Sequence, residues 1–134
     1  MARVRYLLDT NICIALVHRP EPLLKQRLAQ KQPEDIVLCS IVKAELLYGA
    51  RKSQRVAENL KELEAFFAPF DSIAFDDKAA DFYGMNRALL AKGGTPIGIN
   101  DLLIASIALA HDLAVVTRNT SEFIRVPGLR LESW

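Results

Sequence analysis

The sequence has few of the features that mark secreted, membrane or disulfide-stabilised proteins. It has two cysteines in 134 residues. Cys13 and Cys39 each lie inside an apolar segment and do not have the spacing of metal ligands. This placement is typical of buried free thiols in a protein of a reducing compartment. The most apolar late stretch, residues 102–110, is too short to span a bilayer. Asp9 and Asn11 interrupt the first apolar stretch, which argues against a signal peptide. These absences predict a cytoplasmic protein that has no contact with a membrane.

The sequence also lacks a strong charge of either sign. Its formal net charge is +1, so any affinity for nucleic acid must come from local basic clusters. Ordinary solvated surface charge is the simpler interpretation of such a cluster taken alone. The candidates are Arg51, Lys52 and Arg55, and further along Arg118, Arg125 and Arg130.

Several common catalytic devices are missing. The two histidines, His18 and His111, lie beside a proline-rich loop and at a predicted helix end, so neither is expected to act as a ligand. No serine or cysteine has the partners of a nucleophilic triad. The glycines at 93, 94 and 98 precede a helix without the strand that a phosphate-binding loop requires. Carboxylates therefore become the main candidates for chemistry.

Short apolar segments alternate with amphipathic ones along the chain. Strands are predicted at residues 4–8, 36–39, 72–75, 113–117 and, at an edge, 129–132. This alternation predicts an α/β fold: one domain over residues 1–134, a three-layer sandwich with a central, mostly parallel sheet of four or five short strands flanked by helices.

The helices between these strands have predicted caps and apolar faces. Candidate N-caps are Thr10 or Asn11, Ser40, Ser53 and Asn100, while Asp76 and Asp77 supply negative charge to the first turn of a helix ending near Lys92. The predicted buried faces contain Leu23, Leu24 and Leu28; Ile41, Ala44 and Tyr48; Val56, Leu60, Leu63 and Phe67; and Phe82, Met85 and Leu89.

Three carboxylates stand at the edges of apolar runs far apart in sequence: Asp9, Glu45 and Asp101. Asp9 follows the first predicted strand, and ligands of parallel sheets bind beyond the carboxyl ends of the strands. If the fold gathers the three groups, two carboxylates at about 5 Å repel by roughly 3 kcal/mol at an effective dielectric of 20. A divalent cation reverses that cost, so the set predicts a metal-dependent catalytic site.

Each carboxylate also has a structural explanation when considered alone. Asp9 could cap the following helix, and Glu45 could form a salt bridge with Lys43 or Arg51. Asp101 in a first helical turn is favoured by the helix dipole by about 0.3–1 kcal/mol. Their conjunction favours metal binding, and a set of oxygen donors favours Mg²⁺ or Mn²⁺ over zinc.

The ordered set of motifs resembles the PIN-domain ribonucleases, specifically the VapC toxins of bacterial toxin-antitoxin pairs, over nearly the whole chain. The residues that carry the resemblance are Leu7 to Asn11; Ala44, Glu45, Leu46, Tyr48 and Gly49; Pro96, Ile97, Gly98 and Asn100 to Ala105; Thr117 to Phe123; Val126 to Leu129; and Trp134.

The resemblance implies a Mg²⁺- or Mn²⁺-dependent endoribonuclease whose metal is held by Asp9, Glu45 and Asp101. It also implies products with 5′-phosphate and 3′-hydroxyl ends. The chain departs from the family pattern at Asn119, where many members have a fourth acid, so a second metal is in doubt. Asn119 is expected to act catalytically through its carbonyl oxygen or by orienting a water, with Asn11, Thr117 and Glu122 as secondary residues.

The same resemblance implies partners: an RNA substrate, a second copy of the chain in a homodimer, and a cognate antitoxin protein. The antitoxin would lay a helix across an apolar groove within residues 46–67, and operator DNA would be contacted only through that complex. Two other functions stay open. A metal-dependent phosphatase would usually need a second aspartate where this chain has Asn11, and an inactive PIN-like binding module would not need three acids.

Overall fold

The computed structural model describes residues 3–134, and a parallel sheet of five strands forms its centre. The strand order is β3-β2-β1-β4-β5, and every neighbouring pair is parallel. The predicted fold class is confirmed, including the edge strand near the end of the chain. The strands are β1 (Tyr6–Leu8), β2 (Ile36–Cys39), β3 (Asp71–Ile73), β4 (Ala114–Val116) and β5 (Arg130–Glu132).

Helices cover both faces of the sheet. All four residues of β2 and all three of β4 are buried, and successive side chains of a strand point to opposite faces, so neither face meets solvent there. Within residues 3–134 the α-helices are α1 (Thr10–His18), α2 (Pro22–Ala29), α3 (Ser40–Arg51), α4 (Val56–Phe67), α5 (Asp77–Lys92), α6 (Ile99–Ala110) and α7 (Thr120–Phe123). A single 3-10 turn, Pro33–Asp35, precedes β2.

The topology creates a crevice beside the central strand. The chain runs outward from β1 through β2 to β3, and then returns to add β4 and β5 on the other side. Strand order therefore reverses between β1 and β4, the point at which open parallel sheets bind ligands. Leu8 pairs with Val116 at the ends of these strands, and the backbone N–H of Asp9 donates to the Val116 carbonyl at 3.1 Å.

Four predicted helix caps are wrong because other groups satisfy the helix ends. Asp9 itself caps α1, in place of Thr10 or Asn11, by accepting from the Ile12 N–H at 2.9 Å. Ser40 and Asn100 lie inside the first turns of α3 and α6, which start after Cys39 and Gly98. Ser53 precedes α4 but does not cap it; its hydroxyl instead donates to the Ala50 carbonyl at 2.6 Å. The negative charge predicted at the start of α5 is confirmed: Asp77 lies in its first turn, and Asp76 is its N-cap, accepting from the Ala79 N–H at 2.9 Å.

The buried faces of several helices also differ from the predicted ones. The core side of α3 is Val42, Leu46 and Ala50, whereas Ala44 is exposed and Tyr48 is 66% exposed. On α5 the buried residues are Ala79, Asn86 and Leu90, whereas Met85 and Leu89 of the predicted face are exposed. Leu23 of α2 is also exposed. On α4 only Leu63 of the predicted face is buried; the partly buried residues are Val56, Leu60 and Phe67.

The third strand is shifted from the predicted 72–75 to Asp71–Ile73 because its register is set by pairing with β2, in which Cys39 lies opposite Ile73. Phe75 lies beyond the strand and packs partly buried against the core. No helix in the described range 3–134 combines the length and apolarity needed to cross a membrane.

A candidate active site at the reversal of strand order

The three predicted carboxylates line one open cleft of about 520 Å³. Asp9 follows β1, Glu45 projects from α3, and Asp101 lies in the first turn of α6. The fold thus brings together groups that are 36 and 56 residues apart along the chain. The remaining residues that line the cleft are Thr10, Asn11, Ile14, Tyr48, Gly49, Lys52 and Asn100.

Asp9 is the most deeply placed of the three, with 3% of its surface exposed. Its Oδ1 accepts from the Ile12 N–H, and its Oδ2 accepts from the hydroxyl of the fully buried Thr117 at the end of β4. Thr117 in turn accepts from the Asn119 N–H at 2.9 Å. Both carboxylate oxygens are therefore held by donors from two neighbouring parts of the sheet edge, and this fixes the orientation of the group.

Glu45 is held from the opposite wall of the cleft. The Thr10 hydroxyl, one residue after Asp9, donates to Glu45 Oε1 at 2.8 Å. The two basic residues considered in sequence as its partners do not pair with it: within residues 3–134 Glu45 takes part in no ion pair, and the Lys43 ammonium lies 4.8 Å from the centre of the Phe67 ring. The salt-bridge explanation of Glu45 is therefore wrong.

Asp101 is half-buried and is oriented by Asn119. The Asn119 side-chain amide donates to Asp101 Oδ2 at 3.0 Å and to Glu122 Oε2 at 2.6 Å. Glu122 also accepts from the Gly98 N–H at 3.1 Å, directly before α6. This small network ties the start of α6 to the turn after β4.

The electrostatics of the cleft are those of crowded acids. Burial raises the pKa of Asp9, and the nearby charge of Glu45 raises it further, against the hydrogen bonds from Thr117 and Ile12 that lower it. Burial, followed by the neighbouring Glu122, raises the pKa of Asp101 to about 6, and the charge of Asp9 adds to the effect. Without a counter-charge the site resists full ionisation, and a bound cation would relieve that resistance.

Oxygen donors are the ligands that Mg²⁺ and Mn²⁺ prefer, so the chemistry of the cleft fits a hard divalent cation. Among residues 3–134, no group of three acidic, histidine or cysteine side chains is placed so that it could hold a metal ion with the side chains as they stand. Protein donors occupy both oxygens of Asp9 and one oxygen each of Glu45 and Asp101. The other carboxylate oxygens have no protein donor within the described residues.

The remaining predicted site residues divide into two groups. Asn11 lines the cleft, whereas Thr117, Asn119 and Glu122 lie behind it and hold Asp9 and Asp101 through the hydrogen bonds above. Both histidines lie elsewhere: His111 Nε2 is 2.8 Å from Asp76, and His18 Nδ1 is 3.9 Å from Glu62.

Sequence reasoning missed several residues that line the cleft. Thr10 and Asn100 are predicted as caps and Tyr48 as a core residue; all three also belong to the motifs of the resemblance, which assigns them no site role, yet all three line the site. A usable signal existed for Tyr48, Gly49 and Lys52, since positions three, four and seven after Glu45 share its side of a helix.

The basic clusters separate clearly in the structure. Lys52 lines the cleft, but Arg55 pairs with Glu58, and Arg118 pairs with Glu21. Arg125 donates to the Pro96 carbonyl, and Arg130 donates to Asp112. The second cluster is thus engaged in exposed contacts, which contribute little to stability.

Known proteins are similar to this chain in sequence and in fold. The PIN domain family model matches residues 6–129. The tRNA(fMet)-specific endonuclease VapC of Shigella flexneri is 40% identical over 131 residues, which cover 98% of each chain. The crystal structure of VapBC2 from Rickettsia felis bound to a promoter DNA fragment has a chain with a TM-score of 0.90 and 39% identity, covering 98% of this chain and 99% of that one.

A chain in the crystal structure of DNA-bound VapBC from Salmonella typhimurium has a TM-score of 0.93 and 37% identity, again covering 98% of this chain and 99% of that one. The similarity spans every element that builds the cleft, from β1 to the turn after β4. The protein with the carboxylate cleft described above therefore belongs to the PIN-domain family and, within it, to the VapC ribonucleases.

Proposed function

We propose that this ribonuclease is the toxin of a toxin-antitoxin pair and hydrolyses RNA phosphodiester bonds at the carboxylate cleft, with Asp9, Glu45 and Asp101 holding Mg²⁺ or Mn²⁺. The observation that carries the proposal is the convergence of these three side chains, from three separate elements, on one cleft beside the central strand. The raised pKa values of Asp9 and Asp101 support it, because burial and then the neighbouring carboxylates disfavour their charged forms, and a bound cation would offset both effects.

The protein's own residues hold the three carboxylates of the cleft in position. A bound divalent cation supplies Lewis acidity, which activates water as a nucleophile and neutralises the charge that develops on the phosphate. Thr117 and Ile12 hold Asp9, Thr10 holds Glu45, and Asn119 holds Asp101, so each carboxylate is pre-oriented before substrate arrives. Pre-orientation of this kind lowers the reorganisation needed in the transition state.

Asn119 has a different role from the one its position in the sequence suggested. Its side-chain nitrogen donates to both Asp101 and Glu122. We therefore assign it to positioning Asp101, and a neutral amide there adds no negative charge that would attract a second cation. One metal per site is the expected number.

The name of one relative supports a choice of test substrate. Because the Shigella flexneri relative is named for initiator tRNA, we choose that tRNA as the first substrate to test, with 5′-phosphate and 3′-hydroxyl ends expected on the products. The purified chain should cleave it with Mg²⁺ or Mn²⁺ and stop cleaving in excess EDTA.

Two variants test the ligand assignment directly. Asp9→Asn and Asp101→Asn should each abolish cleavage while the circular dichroism spectrum stays that of the folded protein. Asp81→Asn, which removes the same charge from an exposed position on α5, is the matched control and should keep full activity. Cleavage by either site variant at the control rate would refute the assignment. Phosphate release from a small phosphomonoester, without RNA fragments, would indicate a phosphatase instead.

We further propose that a cognate antitoxin covers the groove between α1, α3 and α4. This groove of about 280 Å³ shares Ile14 and Gly49 with the catalytic cleft, so a helix lying in it would reach the active site. Operator DNA would be contacted through that complex, since the Rickettsia felis and Salmonella typhimurium relatives are bound to DNA as VapBC complexes. The other residues of the groove are His18, Leu46, Ala50, Ser53, Asn59 and Leu63.

We also propose that two copies associate in the cytoplasm. Met85 and Leu89 on α5 and Ile99 at the start of α6 are 60%, 53% and 54% exposed, which supplies apolar surface for a homodimer. Light scattering of the purified chain measures the molar mass directly; a monomer at all concentrations would refute this association.

A further inference from the structure

Tyr48 and Lys52 line the catalytic cleft without a role in holding its carboxylates. Tyr48 is 66% exposed, so core packing does not account for the ring. The Lys52 ammonium lies 4.9 Å from the centre of that ring, and in the part of the chain that the structure describes it forms no ion pair. An aromatic face and an unpaired cation therefore border the site of phosphodiester cleavage.

The helix places both groups in line with a proposed metal ligand. Tyr48 follows Glu45 by three residues and Lys52 follows Tyr48 by four, and such spacings put side chains next to one another on one side of a helix. The side of α3 that begins with the carboxylate thus continues with a ring and ends with an ammonium group.

Gly49 adds an independent observation. It lies inside α3, where glycine is less favourable than alanine. Apart from its two neighbours and the nearby backbone of its own helix, a Cβ built on Gly49 would meet no protein atom within 4 Å, so packing against the rest of the chain does not require the missing side chain. Its absence leaves the cleft open between Tyr48 and Lys52, as a site for close approach of a ligand requires.

We propose that Tyr48, Gly49 and Lys52 form a nucleotide subsite: Tyr48 stacks on an unpaired base beside the scissile phosphate, and Lys52 contacts a phosphate of the same strand. This inference rests on the proposed RNA cleavage at the neighbouring carboxylates. Three carboxylates with one divalent cation keep one formal negative charge, which repels RNA, and Lys52 balances it.

The subsite selects a class of substrate. A base must leave its neighbours in order to stack on a protein ring, and this is easy in loops and single strands but costly inside a duplex. The enzyme should therefore cut at an unpaired nucleotide, such as one in a loop of a folded RNA, and leave paired segments intact.

The first experiment distinguishes the contribution of the Tyr48 aromatic ring from that of its hydroxyl group. Tyr48→Ala should lower kcat/KM on a single-stranded RNA oligonucleotide by about 5- to 150-fold, the loss expected for one base stacking on an aromatic ring. Tyr48→Phe keeps the stacking surface and should stay within about 2-fold of the wild type. Tyr48→Leu keeps apolar bulk without a ring and should resemble the alanine variant. Equal activity of the alanine and phenylalanine variants would overturn the stacking role.

The second experiment tests the phosphate contact by its salt dependence. Lys52→Gln should weaken RNA binding and reduce the slope of log affinity against log salt by about 0.7, the value for one contact to a single strand. Lys52→Arg should restore the slope. Arg51→Gln removes the same charge one residue earlier, outside the residues that line the cleft, and should leave the slope unchanged. Equal slopes for the two glutamine variants would overturn the contact.

Binding measurements keep this inference separate from the proposed catalysis. Fluorescence anisotropy of a labelled RNA oligonucleotide in the Asp101→Asn background needs no turnover. Weaker binding on adding Tyr48→Ala, with unchanged thermal unfolding, supports the subsite even if the wild type proves inactive on RNA. Active cleavage by the wild type together with unchanged binding by both Tyr48→Ala and Lys52→Gln overturns the subsite and leaves the nuclease assignment intact.

Discussion

Replacing Asp101 by asparagine should make the metal-free protein more stable while abolishing its activity. The substitution keeps the size of the side chain and an oxygen that accepts from Asn119, so the hydrogen bond at 3.0 Å is retained. It removes a half-buried charge that Asp9 and Glu122 oppose. A carboxylate retained at a cost to stability is typical of a residue that serves function.

The size of the expected gain in stability follows from the raised pKa of Asp101. A value of about 6, against an ordinary 3.8, corresponds to a charging cost of about 3 kcal/mol. Asp101 is only half-buried, so solvent screening reduces this to about 1–2 kcal/mol. Part of the cost is also offset at Glu122, whose pKa is lowered by the Asn119 amide and the Gly98 N–H. The variant should therefore unfold about 3–6 °C higher than the wild type.

The stability gained by Asp101→Asn should depend on pH. Because the folded-state pKa of Asp101 is raised, protonation stabilises the fold in acid, and that stability is lost as the pH rises through about 6. The advantage of Asp101→Asn should therefore be largest at neutral pH and disappear at a pH below the ordinary pKa of aspartate.

Thermal unfolding in EDTA, at neutral and at acid pH, measures this difference, and the Asp81→Asn control should show no such gain. Added Mg²⁺ should raise the melting temperature of the wild type more than that of the variant, because only the intact site binds the ion tightly. A variant that is less stable than the wild type at neutral pH in EDTA, or that gains equally from Mg²⁺, would refute the reasoning.

Three further outcomes are expected. Thr117→Val deprives buried Asp9 of a donor, so urea unfolding should show a loss of about 1–3 kcal/mol, and no loss would contradict the buried hydrogen bond. Gly49→Ala should stabilise α3 by up to about 1 kcal/mol yet slow RNA cleavage; faster cleavage would contradict a close approach of RNA there. The Ala79 N–H and His111 lower the pKa of Asp76, which stabilises the fold above the ordinary pKa of aspartate and loses that effect in acid. Asp76→Asn should therefore make the free energy of unfolding depend less steeply on pH in acid, and an unchanged pH dependence would contradict this role of Asp76.

The convergence of the three carboxylates on one cleft was predictable from the sequence for a physical reason. Buried parallel strands read as short apolar runs, and polar residues that follow such strands collect at one edge of the sheet. Asp9 after β1 and Thr117 after β4 illustrate this, since the two strands pair side by side. The roles of Asp9, Glu45 and Asp101 as metal ligands stay a prediction for the experiments above.

The errors have a common cause, which is that local patterns do not show which neighbour a side chain meets. Ser53 has the chemistry of an N-cap, but the position of Ala50 draws its hydroxyl to the end of α3 instead. Met85 and Tyr48 have the apolar character of core residues, but the docking of α5 and α3 leaves them exposed. Helix periodicity offers several apolar faces, and packing selects one.

By itself, the sequence determined the alternation of strands and helices, the parallel sheet and the acids expected at its carboxyl edge, because these depend on local apolar period and on the order of residues along the chain. Only the tertiary structure decided that Asp9 both caps α1 and faces the cleft, that Asn119 serves as a donor to Asp101, and that Tyr48 and Lys52 border the site. These features arise from contacts between residues far apart in sequence, which form only when the strands and helices have packed.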